Sequence, residues 1–161
     1  MIYIMKKKGF TLVELLAVIA ILAILVIIAL PNVMGMFRTA KKNSFTTELK
    51  DVFKAAEQQW MLDSMTSTGE KTYARVNGTA CGSALDLSGR TELDYMIKVS
   101  KNGKITEYHA TDGTYQYSYT GTELKVEKID DDTAKVETIG EAGVTQFKIT
   151  CSSNVPAKSN S

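Results

Sequence analysis

The chain has 161 residues, of which 44% are hydrophobic and 23% are charged, values that are ordinary for a globular protein. Its formal net charge of +1 offers no broad basic surface, so the composition argues against general binding of nucleic acid. The length suits one domain and one further element. These averages hide an uneven distribution, because one end of the chain is almost entirely apolar and the remainder is polar.

An apolar run occupies residues 10–30, where Thr11 and Glu14 are the only polar side chains. As a helix rising about 1.5 Å per residue it would span roughly 30 Å, the thickness of the hydrocarbon core of a bilayer. A helix of this length buried in a soluble protein would normally keep a polar stripe, which this run lacks. The sequence therefore predicts a membrane-spanning helix over residues 10–31.

The residues around this run argue against two common kinds of export signal. An ordinary secretory signal has an apolar core of about 7–15 residues and a small-residue cleavage site, and neither is found here. A lipoprotein signal would end in a cysteine, which is absent from this segment. A simple signal anchor fits the length but leaves Glu14 unexplained, because a carboxylate at mid-membrane costs about 2–3 kcal/mol.

The segment K-K-K-G-F-T-L-V-E-L-L closely resembles the type III signal of type IV prepilins and pseudopilins. The resemblance extends over about 50 residues, and its core from Gly9 onward is highly specific. It implies that a prepilin peptidase cuts after Gly9 and methylates the new amino-terminal residue, Phe10. It also implies that Glu14 acts in assembly and that Pro31 is the family's proline at the end of the apolar stretch.

The resemblance further implies a topology and a set of partners. The leader, residues 1–9, starts at Met1 or Met5 and stays on the cytoplasmic side, which its three lysines favour. Its removal leaves 16 basic side chains (19 minus 3) against 18 acidic ones, a net charge of about −2. The expected partners are the peptidase, the cytoplasmic membrane, the pilus assembly machine, and other pilins, including copies of this chain.

The helix is expected to continue beyond the membrane over residues 32–62. Apolar side chains recur there every three or four residues, which predicts one face packed on the core of a head domain. These side chains are Phe45, Leu49, Val52, Phe53, Ala56 and Trp60. Pro31 has no backbone N–H, so we expect it to kink or weaken the helix between the two halves.

Residues 63–151 are predicted to form a β-rich head. An irregular connection is expected over residues 73–93, which hold three glycines. Beyond it the apolar period becomes two, and Asn-Gly and Asp-Gly pairs indicate hairpins. The expected strands cover residues 95–99, 104–111, 114–120, 123–129, 133–139 and 144–151. The predicted fold class is α+β: a long N-terminal helix packed on an antiparallel β-meander, followed by a mobile tail over residues 152–161.

Cys81 and Cys151 both lie in the exported part, where an even number of cysteines suggests one disulfide. Two reduced thiols are the alternative. The bond would close a loop of about 70 residues, for which chain entropy gives roughly 4 kcal/mol of stabilisation.

No cofactor, metal site or catalytic constellation is predicted. His109 is the single histidine, and Asp130–Asp132 lacks the alternating ligands of a calcium loop. An aromatic row (Tyr115, Tyr117 and Tyr119) suggests either ordinary sheet packing, which we favour, or a platform for sugars, surfaces or single-stranded DNA. Asn77-Gly78-Thr79 matches a glycosylation sequon, a triplet that is common by chance.

The predicted function is a structural subunit of a type IV pilus-like filament, anchored in the cytoplasmic membrane before assembly and displayed at the cell surface afterwards. One alternative is a pseudopilin of a type II secretion system or of a competence system for DNA uptake. Another is a membrane-anchored binding module that keeps its leader and never polymerises.

Overall fold

The computed structural model describes residues 9–87, 93–129, 136–141, 144, 146 and 148–151. Most of the predicted leader, the Asp130–Asp132 turn and the predicted tail lie outside the described residues. Internal contacts divide the chain into two compact units, Met1–Ala40 and Lys41–Ser161.

The helix α1 spans Leu12–Ser64 and is 53 residues long. In the first unit every large apolar side chain of residues 10–37 is exposed, from 44% at Val33 to 87% at Phe10. Pro31 lies inside α1 with helical residues on both sides. The kink there and the division between residues 31 and 32 both stay predictions.

The second unit contains a six-stranded sheet in which every pair of neighbouring strands is antiparallel. The strands are β1 Lys71–Val76, β2 Thr79–Cys81, β3 Asp94–Val99, β4 Ile105–Thr111, β5 Tyr115–Leu124 and β6 Glu137–Thr138. Their order across the sheet is β2-β1-β3-β4-β5-β6. A long helix packed on an antiparallel sheet confirms the predicted α+β class.

The core lies between α1 and one face of this sheet. The five helix residues Phe45, Leu49, Val52, Phe53 and Ala56 are each at most 2% exposed, and Trp60 packs at their border. This confirms the predicted apolar face. A buried hydrogen bond of 2.9 Å, which the Tyr108 hydroxyl donates to the carbonyl oxygen of Leu49, joins the sheet to the helix. Because an unpaired buried hydroxyl is costly, this bond allows a tyrosine in the core.

The expectation of an irregular connection over residues 73–93 is wrong, because β1 and β2 form a hairpin there. Asn77 and Gly78 make its turn, with φ of 50° and 77°. Positive φ at both central residues is what a type I′ hairpin turn requires, and Asn-Gly is the pair that best tolerates it. The triplet noted as a sequon is therefore first of all a turn.

The predicted end of a strand at residue 120 is also not found, because β5 continues through Gly121 to Leu124. Between the pairs Ile105–Leu124 and Glu107–Thr120, β5 carries two more residues than β4, so the register shifts beside Gly121. A Cβ at this position would clash with the Tyr119 side chain. Glycine here marks a bulge with a close approach rather than a turn.

The last predicted strands are shorter than expected. The sequence predicts a separate strand over residues 123–129. Instead, residues 123 and 124 are the end of β5, and a 3₁₀ helix follows at Val126–Lys128. Within the described part of residues 133–151, only β6 is a strand.

Candidate processing and assembly site

The start of α1 is a reciprocal capping box formed by Thr11 and Glu14. The backbone N–H and the hydroxyl of Thr11 each donate a hydrogen bond of 2.8 Å to Oε2 of Glu14. In return the backbone N–H of Glu14 points at Oγ1 of Thr11, 3.3 Å away. Thr11 therefore acts as the N-cap and Glu14 as the third helical residue, the arrangement that satisfies the free N–H groups at a helix start.

The capping box gives Glu14 a local role, which the Thr-x-x-Glu spacing before an apolar run could have indicated from the sequence. Its carboxylate lies at the positive end of the helix dipole, which favours a negative charge. Only Oε2 takes part in the box, and among the described residues Oε1 makes no hydrogen bond. One carboxylate oxygen is thus used within the chain, and the other can accept a donor from outside it.

Gly9 and Phe10 precede the cap and are exposed. A Cβ built on Gly9 meets no atom within 4 Å, and its backbone does not adopt the positive φ that would require glycine. Phe10 is 87% exposed. Within the described residues, packing therefore places no demand on glycine at position 9, so any such demand must come from another molecule.

The helix that follows is apolar enough to cross a membrane. It contains an 18-residue window with a mean hydropathy of 3.2, none of which is buried within the chain. Apolar side chains of this size left in water would be strongly unfavourable, because each buried one contributes about 1.5–3 kcal/mol. Lipid or other apolar helices around this surface would remove that cost.

In the head, a disulfide joins Cys81 on β2 to Cys151, with Cα atoms 5.4 Å apart. This is the pairing that the sequence predicts. Cys81 packs against a small cluster of Ala74, Met96 and Ile149, which is separate from the main core. The bond therefore holds the end of the described chain against the sheet.

The aromatic row on β5 belongs to the core. Tyr115 and Tyr117 are 6% and 3% exposed, and Tyr119 is half-buried against the same cluster. The ring of Tyr117 meets that of Tyr108 edge-on, with centroids 5.4 Å apart, and burial raises the pKa of Tyr117 to about 12. The structure thus supports sheet packing and excludes an exposed aromatic platform on this strand.

His109 has a neighbour that the sequence does not single out. The cross-strand register of β4 and β5 pairs it with Ser118, whose hydroxyl lies 2.9 Å from Nδ1 of His109. Burial lowers the pKa of His109. A serine and a histidine on one sheet face make a hydrogen-bonded pair, but catalysis also needs an oriented base and oxyanion donors. The described residues also contain no group of three or more metal-binding side chains.

Comparison with known families identifies the same segment that carries the capping box. Residues 4–30 match the family described as the prokaryotic N-terminal methylation motif. No curated protein and no solved structure matches the chain. The head is therefore interpreted from its own structure alone.

The motif is that of structural pilin-type subunits rather than of an enzyme family. This motif is consistent with the N-terminal helix, whose apolar side chains are exposed, and with the disulfide in the head. Residues 4–30 therefore carry the N-terminal motif of prepilin-type proteins, the class that comprises type IV pilins and pseudopilins.

Proposed function

We propose that the chain is a structural subunit of an extracellular type IV pilus-like filament. A prepilin peptidase cuts between Gly9 and Phe10 and methylates Phe10, and an assembly machine then moves the helix from the cytoplasmic membrane into the filament. The observation that carries the proposal is the methylation motif at the start of a helix whose large apolar side chains are all exposed.

The same helix can lie in the membrane and in the centre of the filament, because both surroundings are apolar. Transfer from lipid to a core of neighbouring helices gains little from the hydrophobic effect, so packing and polar pairing must select the register. Glu14 is the acidic side chain of this segment. Cleavage creates a cationic amine on Phe10, and in a staggered filament this amine can meet Glu14 of a neighbouring subunit.

The capping box gives the Glu14 carboxylate hydrogen-bond partners before the subunit is assembled. Before assembly, Oε2 is held by Thr11, so the carboxylate does not lie unpaired in the apolar segment. The unused Oε1 accepts the amine of the neighbour when subunits meet. A pair of desolvated charges that is correctly formed offsets its burial, whereas one left alone is strongly unfavourable, and this difference fixes the axial register.

Pro31 is a second feature of α1 that we expect to matter for assembly, because it weakens the helix locally. It cannot donate the hydrogen bond that a helix interior expects, and Gly35 follows one turn later. The hydroxyl of Thr39 donates to the carbonyl oxygen of Gly35 at 3.3 Å, which competes with the helix's own bonds. We propose that this stretch kinks or partly unwinds as subunits pack.

Three variants separate the two roles of Glu14. Glu14→Gln keeps a side chain that can complete a capping box but removes the charge. Thr11→Ala removes half of the box and keeps the charge. Glu14→Ala removes both. Each variant is expressed as the sole copy beside its assembly machinery, and fibres are counted by electron microscopy.

If charge pairing drives assembly, Glu14→Gln and Glu14→Ala lose nearly all fibres, while Thr11→Ala keeps most of them. All three still insert into the membrane with a folded head. Equal defects in Glu14→Ala and Thr11→Ala, with normal fibres in Glu14→Gln, would reduce the role of Glu14 to capping. A wild-type chain that is never cleaved after Gly9 would refute the filament proposal, and fibres that stay short would favour a pseudopilin.

A further inference from the structure

Within the described part of the head, the large exposed apolar side chains cluster at the end of α1. Met61, Leu62 and Met65 are 58%, 60% and 82% exposed. Met61 and Leu62 lie in the last turn of α1, and Met65 directly follows the last helical residue and donates a backbone hydrogen bond of 3.3 Å to the carbonyl oxygen of Leu62. The three residues therefore fall within about one turn of chain at the end of the helix. We call these three residues the apolar patch.

The apolar patch is exposed although it borders the core. Val52, Phe53 and Ala56 face the sheet, and at about 100° per residue Met61 points away from them. Leu62 follows the buried Ala55 by seven residues and lies at the margin of the buried face, yet it is 60% exposed. The preceding residue on the side of Met61 is the exposed, polar Gln58. Single exposed apolar residues are ordinary on protein surfaces, but three large ones in five positions indicate an interaction surface. The flexible methionine side chains suit contact with an uneven partner.

The size of the patch limits what can cover it. At about 200 Å² for a fully exposed Met or Leu, the three residues expose roughly 400 Å², within the range of a functional patch on a monomer. A stable complex needs about 800 Å² from each partner. The patch is therefore too small to hold a partner alone and must act beside a larger contact.

A second copy of this chain supplies both the larger contact and the matching chemistry. Among the described residues, all other exposed large apolar side chains belong to residues 10–37. Contact of patch with patch would be self-complementary and would close into a dimer, whereas contact of the patch with a different surface is heterologous and can continue into a helical polymer. A filament requires the second kind.

We propose that the apolar patch of one subunit binds the exposed apolar helix, residues 10–37, of another subunit in the filament. This inference rests on the proposed filament function and adds a surface of the head to it. The patch then contributes to filament stability while contributing little to the folding of its own head, because its side chains are exposed in the single chain.

The first test replaces the patch in the full-length chain by M61Q, L62Q and M65Q together. Membrane insertion, cleavage and the midpoint of thermal unfolding of the detergent-solubilised protein stay at wild-type levels, and sheared fibre mass falls at least about tenfold. The control is Q58S with T68S, two exposed polar positions that flank the patch, and it keeps wild-type fibre mass. Wild-type fibre mass in the triple variant would overturn the proposal.

A second test does not depend on the stability of that variant. Met61→Cys is combined with single cysteines at successive positions of residues 12–37, and fibres are oxidised. Intermolecular disulfides between position 61 and the helix are expected in fibres and not in detergent-dispersed monomers. Bonds only between two copies of position 61, bonds only to another protein, or none at all would each overturn the proposal.

The two proposals fail differently. If the wild-type chain makes no fibres in the presence of its machinery, the filament function itself is wrong. If the wild type makes fibres and neither test shows an effect of the patch, only the inference about the patch is wrong.

Discussion

Two leucines of α1 provide a stringent test of which helix face supports the head. Leu49 is 0% exposed and touches the sheet side of the core, whereas Leu62, thirteen residues further on, is 60% exposed. The same substitution, Leu→Ala, removes the same atoms from the same helix at both positions. Any difference in stability therefore reports burial rather than helix propensity.

The expected magnitude follows from the packing at Leu49. Complete burial among aromatic and aliphatic side chains leaves a cavity when the side chain is shortened, and such changes cost about 2.7–5 kcal/mol. Leu49→Ala should therefore lower the free energy of unfolding by about 3 kcal/mol, or roughly 10 °C in the unfolding midpoint for a head of this size. Leu62→Ala should cost less than about 0.5 kcal/mol, because surface changes of this kind rarely exceed it.

The assay is thermal unfolding of the full-length mature chain in detergent, followed by the near-ultraviolet circular dichroism of the core tyrosines. Tyr73, Tyr108 and Tyr117 are buried and report tertiary packing in the head. A shift for Leu49→Ala that is no larger than the shift for Leu62→Ala would refute the assignment of the core face. Leu62→Ala should instead lower fibre yield, which links this comparison to the apolar patch.

Three further predictions concern processing, the disulfide and pH. Gly9→Val should accumulate uncleaved precursor with a normally folded head, because a Cβ at position 9 meets no other atom of the described chain; intact-mass measurement of the N-terminus checks this, and normal cleavage would contradict it. Cys151→Ser should lower the free energy of unfolding by roughly 3–4 kcal/mol, since it opens a loop with a sequence separation of 70, and reduction of the wild type should do the same; free, alkylatable thiols in surface material would contradict the bond. Burial lowers the pKa of His109, so the unfolded chain binds its proton more readily than the folded one. The stability that comes from a neutral His109 is therefore complete above about pH 6.5 and is lost as the pH falls towards the folded-state pKa. Urea unfolding between pH 7.5 and 5 should show a steeper loss for the wild type than for His109→Gln, and equal slopes would remove His109 from the acid response.

The helix face and the middle strands could be predicted because each depends on local periodicity. Phe45, Leu49 and Val52 recur at helical spacing and meet the sheet as expected. The pairs Asn102-Gly103 and Asp112-Gly113 separate strands with alternating apolar residues, which is a local pattern as well. Neither inference needs knowledge of distant contacts.

The first hairpin also has a local turn signal, but the same residues match a glycosylation sequon. Asn77-Gly78 is an Asn-Gly pair like the one that predicts the later turn at Asn102-Gly103. Its two positive φ values are those that a tight hairpin turn needs. The three glycines across residues 73–93 favour an irregular segment, which is not what the structure has at β1 and β2. The Asn-Gly pair predicts this hairpin better than the number of glycines does.

Gly121 and His109 show what sequence patterns do not contain. Gly121 tolerates the close approach of Tyr119 at a register shift, and this role depends on where β4 ends. His109 meets Ser118 only because nine residues and one turn bring them opposite each other. Both features depend on strand register, which is decided by the whole sheet.

The capping box has a consequence for the timing of maturation. Its hydrogen bonds use the backbone N–H and hydroxyl of Thr11 and the backbone N–H of Glu14, but not the nitrogen of Phe10. Cutting the Gly9–Phe10 bond and methylating the new amine therefore leave the cap chemically intact. If the proposed cleavage occurs, we expect the mature subunit to begin its helix at the same residue as the precursor, so that only the charge at the start of the helix changes. The irreversible cut would then permit polymerisation without a refolding step.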